Sequence, residues 1–155
     1  YYFIDDGKFN EMLKRDEFLE SAKVFDHYYG TPKSPIIAAI ESGKDVLFDI
    51  DWQGTQQLMN SLQDDLVKVF VLPPSAKELE KRLLKRNQDT NKTVKDRMSK
   101  ASNEISHYAE YDYIIVNEDF EDSLVNIESI LVAEGLKRSR QLKIQEVINN
   151  LLNDL

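Results

Sequence analysis

Three short runs, DVLFDID (45–51), VKVFVL (67–72) and DYIIVN (112–117), are apolar almost throughout and are separated by stretches with helical periodicity. Strands apolar on both faces and joined through helices imply a parallel sheet covered on both sides. The intervening helices are expected over 32–42, 53–62, 76–86, 93–108 and 120–133, with a shorter one over 6–15. Punctuation supports these bounds. Pro32 and Pro35 stand near one helix start and Gly43 after its end, Pro73-Pro74 stops the second strand, and Ser75 with Glu78 is a capping-box pair. One segment breaks the alternation. EFLESAKVFDHYYG (17–30) is rich in aromatic and β-branched residues around a turn-like Asp26-His27, and reads as a small antiparallel unit closing on Gly30. With 155 residues, 41% of them apolar, the chain has enough material for an α/β domain with a real core.

Composition excludes several classes. Without cysteine there is no disulfide, thiolate metal site or cysteine nucleophile, and a reducing compartment fits. No apolar run approaches the ~18 residues of a membrane helix. A net charge of -8 argues against a general nucleic-acid binder. The charge is uneven: residues 77–100 carry nine Lys or Arg against four acids, a local +5 on a body of -13. A basic segment on an acidic body suits an anionic small molecule, although a solvated helical surface explains the same counts. His27 and His107 are isolated and read as structural or surface residues.

Candidate site residues fall in three places. Asp49 and Asp51 are two apart in an extended run, so both carboxylates face one side. They end a strand, as does Asn117, and ligands in open α/β sheets bind beyond such ends. Arg82 and Arg86 share a helix face before a polar loop, NQDTN (87–91), and Arg97 follows in the next helix. That arrangement resembles a lid bringing guanidinium forks to phosphate. Glu20 and Tyr28-Tyr29-Gly30-Thr31 lie in the antiparallel unit. A carboxylate accepts from guanine N1–H and 2-amino together, whereas adenine leaves it unpaired. A threonine hydroxyl suits guanine O6, and a tyrosine hydroxyl suits phosphate oxygen. A hairpin with aromatic cross-strand packing accounts for the same residue types.

Taken together, YYF (1–3), EFLE (17–20), YYGT (28–31), DIDWQG (49–54), LPPS (72–75), KRLLKR (81–86) and EISHYAEYDYIIVN (104–117) resemble the guanylate kinases, in order and with family-like spacing up to about residue 135. The resemblance implies a P-loop kinase-type parallel sheet flanked by helices, with a small antiparallel GMP-binding lobe (1–31), core (32–81 and 98–138) and helical lid (82–97). It implies transfer of the γ-phosphoryl of ATP to GMP, with dGMP as a related substrate, Mg2+ as cofactor, no nucleic-acid or membrane partner, and a cytoplasmic location. By the same resemblance Tyr1, Glu20, Tyr29, Gly30, Thr31, Asp49 and Asp51 bind GMP, the two aspartates also reaching hydrated magnesium without direct coordination. Arg82, Arg86 and Arg97 act on the phosphates, and Asn117 lies near adenine.

Two departures stand out. Asn87 replaces the glycine usual after the second lid arginine, a place where Asn tolerates left-handed backbone. The phosphate-cradling loop GxSGxGK(S/T) does not occur in the 155 residues, and the chain opens on Tyr1 rather than Met. The expectation is a natural protein longer by one βα unit, with these residues alone an inefficient kinase. The competing functional reading is a non-catalytic guanylate-kinase-like binding module. The three retained arginines favour the enzyme, and a remnant that binds GMP without transfer is the third reading. Beyond 138 the resemblance ends. The tail, 139–155, carries Ile144, Val147, Ile148, Leu151, Leu152 and Leu155 as one helical stripe, expected to dock on its own domain, with a homodimer contact as the alternative.

Overall fold

The computed structural model describes residues 2–24, 27–63, 65–85, 91–141 and 143–155. It divides into two compact units, residues 1–68 and 69–155.

In the first unit, α1 (Asp6–Lys14) opens on Asp5, whose carboxylate accepts from the Lys8 amide at 2.8 Å. It closes with the paired bonds of a Schellman turn, Glu17 N–H to Met12 O and Asp16 N–H to Leu13 O, which leave Asp16 left-handed at φ 54°. Strands β1 (Phe18–Val24) and β2 (His27–Pro32) form the expected antiparallel pair. Next come α2 (Lys33–Glu41), closed by Gly43 at φ 76°, and α3 (Trp52–Leu62), whose Leu58 is fully buried.

The β1–β2 register is interrupted by a bulge. Phe18 pairs with Pro32 and Glu20 with Thr31, so two steps on β1 match one on β2. Residues two apart in a regular strand share a face; the bulge sends Phe18 and Glu20 to opposite faces. Phe18 stacks on Phe9 of α1 (ring centroids 4.7 Å), which stacks in turn on Tyr28 (5.2 Å). Glu20, Thr31 and Tyr29 share the other face.

In the second unit, β3 (Val69–Leu72) and β4 (Tyr113–Val116) pair in parallel, and Asn117 N–H extends the ladder to Leu72 O at 2.8 Å. Between them run α4 (Ala76–Lys85) and α5 (Asn91–Ser106), the latter continued by a 3-10 turn at His107–Glu110. Ser75 caps α4 through the Glu78 amide at 3.2 Å. Helices α6 (Phe120–Leu136) and α7 (Ile144–Asp154) complete the unit.

Two expectations are corrected. Residues 45–51 form no strand: extension is dictated locally by sequence, but a strand exists only through a hydrogen-bonded partner, and the described residues supply none. Burial nonetheless alternates along the segment, with Val46, Phe48 and Ile50 half-buried and Leu47, Asp49 and Asp51 exposed. The α7 stripe forms but does not dock. No residue of the helix is buried, and Val147, Ile148, Leu151 and Leu152 are 41–65% exposed.

Candidate functional site

Glu20 is a carboxylate that folding places out of water: it is 7% exposed in the middle of a short strand. A buried carboxylate must be held by donors. Thr31, its cross-strand neighbour, donates its hydroxyl to Oε1 at 2.6 Å. The hydroxyl expected to serve a base oxygen is thus directed at the carboxylate and fixes its rotamer. The first turn of α3 lies against Oε2. A Cβ on Gly54 would stand 3.4 Å from that oxygen, an ordinary contact, and 3.3 Å from two carbons of Ile50, which is tighter. A helix N-terminus favours negative charge at this point.

Asp51 caps that same helix. Its Oδ1 accepts the Gly54 amide at 2.9 Å, and its carbonyl accepts from Thr55 Oγ1 at 2.9 Å. One oxygen of the pair of acids is therefore satisfied by the backbone, and Asp49 and Asp51 lie on the exposed side of their segment, as the spacing predicts. Tyr29 is 44% exposed on the Glu20 face of the hairpin. Gly30 has a packing reason: a Cβ there would meet the Phe18 ring at 2.8 and 2.9 Å.

Arg82 and Asn117 come together in the second unit. The guanidinium donates through Nε to Glu78 Oε1 at 3.0 Å and through Nη2 to the Asn117 carbonyl at 3.0 Å. These two bonds aim a planar fork at the carboxyl end of β4 and leave further N–H donors for an anion. Hydrogen bonding from Arg82 and then Lys81 holds the Glu78 carboxyl below its ordinary value. Only half of the expected capping box forms, since the Glu78 carboxylate takes these cations. Arg97 is half-buried on α5. Tyr1 and Arg86 lie outside the described residues, as do 87–90 of the expected lid loop.

Two features carry no sequence signal. Gln57 of α3 brackets the backbone of Ser21, its Oε1 accepting the amide at 3.0 Å and its Nε2 donating to the carbonyl at 3.1 Å. The spacing of Gly54, Gln57 and Leu58 places all three on one face of α3, the only hint available beforehand. Glu134 of α6, 5% exposed, gathers Tyr113 Oη (2.6 Å), Lys137 Nζ (2.6 Å) and Arg140 Nε (3.2 Å). Hydrogen bonds from Lys137 and then Tyr113 hold the Glu134 carboxyl below its ordinary pKa, and Glu134 in turn raises the pKa of Tyr113 and of Lys137 above theirs.

Among the described residues no group of three or more His, Asp or Glu has metal-ligating geometry. Magnesium keeps much of its water shell and needs only one or two protein carboxylates. The exposed Asp49 and Asp51 are oxygen donors of the kind that hydrated magnesium takes.

Residues 1–134 match the family model described as guanylate kinase. The whole chain, including the tail beyond 138 and so past the expected end of the resemblance, matches a guanylate kinase of Rhodopseudomonas palustris at 52% identity, spanning 71% of that protein. It is 52% identical over 97% of its length to one from Paramagnetospirillum magneticum, again spanning 71% of the relative. A solved guanylate kinase from Anaplasma phagocytophilum superposes with a TM-score of 0.80 at 35% identity, over 97% of this chain and 73% of the other.

Proposed function

The chain belongs to the guanylate kinase family, the GMP phosphotransferases, and from that premise we propose a division of labour among its residues. GMP binds in the small lobe, residues 1–31, with its base edge on Glu20. The observation that carries this is a buried carboxylate, fixed by Thr31 and resting on the first turn of α3, with Tyr29 on the same face. One charged acceptor takes N1–H and the 2-amino group together. IMP, which lacks the amino group, forfeits one charge-assisted hydrogen bond, about 1.5–3 kcal/mol. AMP presents an acceptor and is refused.

Tyr1 and Tyr29 hold the GMP phosphate, Gly30 and Thr31 shape the hairpin beneath the base, and dGMP is accepted because nothing in this reading requires the 2′-hydroxyl. Arg82, Arg86 and Arg97, within or beside a lid of residues 82–97, neutralise charge on the phosphoryl group in transfer, the dominant protein contribution to such reactions. ATP is the donor, and Asn117 lies near its adenine. Asp49 and Asp51 would hold the water shell of Mg2+, which when bound would supply neutralisation of phosphate charge. Such residues give the enzyme reading its weight over a binding module, since a module has no use for phosphate-directed arginines. The exposed α7 stripe of the segment 139–155 supports a homodimer through that helix. No helix among the described residues is long and apolar enough to cross a membrane, and we assign the protein to the cytoplasm with its substrates.

The test is calorimetric titration of the intact protein and of Glu20→Gln with GMP and IMP. Wild type prefers GMP by about tenfold or more, and Glu20→Gln abolishes the preference. A Glu20→Gln protein with the wild-type ratio removes the base-reading role.

A further inference from the structure

The carboxylate proposed to read the base sits one residue after a bulge, the least regular point of β1. A bulge loosens register, so something must fix where the strand resumes. The cross-strand bond from Thr31 holds the carboxylate but not the backbone beneath it. That backbone is held from the other side. Ser21 has both its amide and its carbonyl taken by the side chain of Gln57, at 3.0 and 3.1 Å. The glutamine amide thus supplies the two hydrogen bonds a neighbouring strand would make, at the residue next to Glu20. Three positions back along α3, Gly54 lies against Glu20 Oε2. The helix therefore holds β1 through the main chain at Ser21, and its first turn comes close to the neighbouring Glu20.

We propose that Gln57 is a positioning residue for purine selection: it registers β1 after the bulge so that both oxygens of Glu20 meet the guanine edge. The inference rests on the base-reading role of Glu20. Gln57 does not touch the base and acts only through Ser21. Its effect is on discrimination. A misplaced carboxylate still accepts one N–H, which GMP and IMP both offer, but no longer accepts two. Loss of Gln57 therefore weakens GMP and leaves IMP nearly untouched, whereas a merely structural role weakens both alike.

The variants are chosen to keep the fold. Gln57, with Leu13, Phe18, Leu19 and Asn60 among its neighbours, lines a cavity of about 250 Å³, so truncation to Ala would enlarge it. Gln57→Met keeps the volume and removes both hydrogen bonds. Gln57→Glu keeps the acceptor for the Ser21 amide and loses the donor to its carbonyl, giving a second variant should the first fold poorly. GMP and IMP affinities are measured by calorimetry for wild type, both variants and Glu20→Gln.

The expected result is a GMP-over-IMP ratio reduced about three- to tenfold in Gln57→Met and less in Gln57→Glu, with IMP affinity unchanged. A parallel fall for both nucleotides, or no change, in the variants that fold overturns the proposal. Should Glu20→Gln abolish the preference while both Gln57 variants keep it, only this inference falls. Should Glu20→Gln leave the preference intact, the base-reading role falls and this inference with it.

Discussion

Replacing Gly30 by alanine tests how tightly the small lobe is built. The added Cβ would stand 2.8 Å and 2.9 Å from two carbons of the Phe18 ring, where carbon contacts settle at about 3.5–4.0 Å. The ring has nowhere simple to go. It is 8% exposed and stacks on Phe9, itself 6% exposed. Overpacking of this kind costs about 1–3 kcal/mol. Glycine-to-alanine replacement within a strand returns about 0.5–1 kcal/mol of backbone entropy. The balance is a loss of about 1–2 kcal/mol, or a fall of roughly 3–6 °C in Tm for a chain of this length. Urea denaturation at equilibrium measures the first and thermal melting the second. A second change supplies the control. Phe18→Leu removes the ring atoms that clash, so in its background Gly30→Ala costs less than in wild type, with a coupling above about 0.5 kcal/mol. Gly30→Ala as stable as wild type, or strictly additive costs in the double variant, would refute the packing account and return Gly30 to a purely substrate-facing role.

Asp51 separates a structural from a chemical duty. Asp51→Ala removes the cap of α3 and costs about 1 kcal/mol, whereas Asp51→Asn keeps the cap to within a few tenths yet loses phosphoryl transfer, read by denaturation and a coupled ADP assay. Glu134→Gln disconnects Lys137 and Arg140 from a buried acceptor and destabilises by about 1–3 kcal/mol at neutral pH. Its pH dependence has a defined sign. Because the folded Glu134 carboxyl lies below its ordinary 4.5, the wild-type advantage is present above that value and disappears as pH falls through the folded one. Tyr113 is raised above its ordinary 10.0, so its share is present below that value and is lost as pH rises through the folded one. Denaturation midpoints of both proteins across pH measure the difference, and a gap that widens in acid contradicts the assignment.

What the sequence discloses is what local chemistry decides. Asp5, Asp51, Ser75 and Asp119 each cap the helix that follows them, through side-chain oxygens on amides two or three residues on. Such bonds are written within a few positions and so can be read there. That Glu20 and Thr31 share one antiparallel unit is legible for a related reason, since strands so near in sequence have few registers, but the bond between their side chains is not. The bulge between Phe18 and Glu20 is not legible, because period-two alternation puts both on one face and only the packing of Phe18 against Phe9 reveals otherwise. Gln57 is hidden for a stronger reason. Its partner is main chain 36 residues away, and every residue but proline offers the same amide and carbonyl. The segment 45–51 shows the converse limit. Apolar content dictates that it extends, but says nothing of which strand lies beside it.

The amide on Ser21 has a consequence for solubility. An outer strand with vacant N–H and C=O groups is a template on which another chain can lay down a strand, the first step toward fibrous association. Along β1 that template is interrupted midway, because a side chain from the same molecule already fills the position a stranger would need. An incoming strand would have to displace Gln57 before it could pair past Leu19, so the contact that steadies the lobe also guards its flank against aggregation.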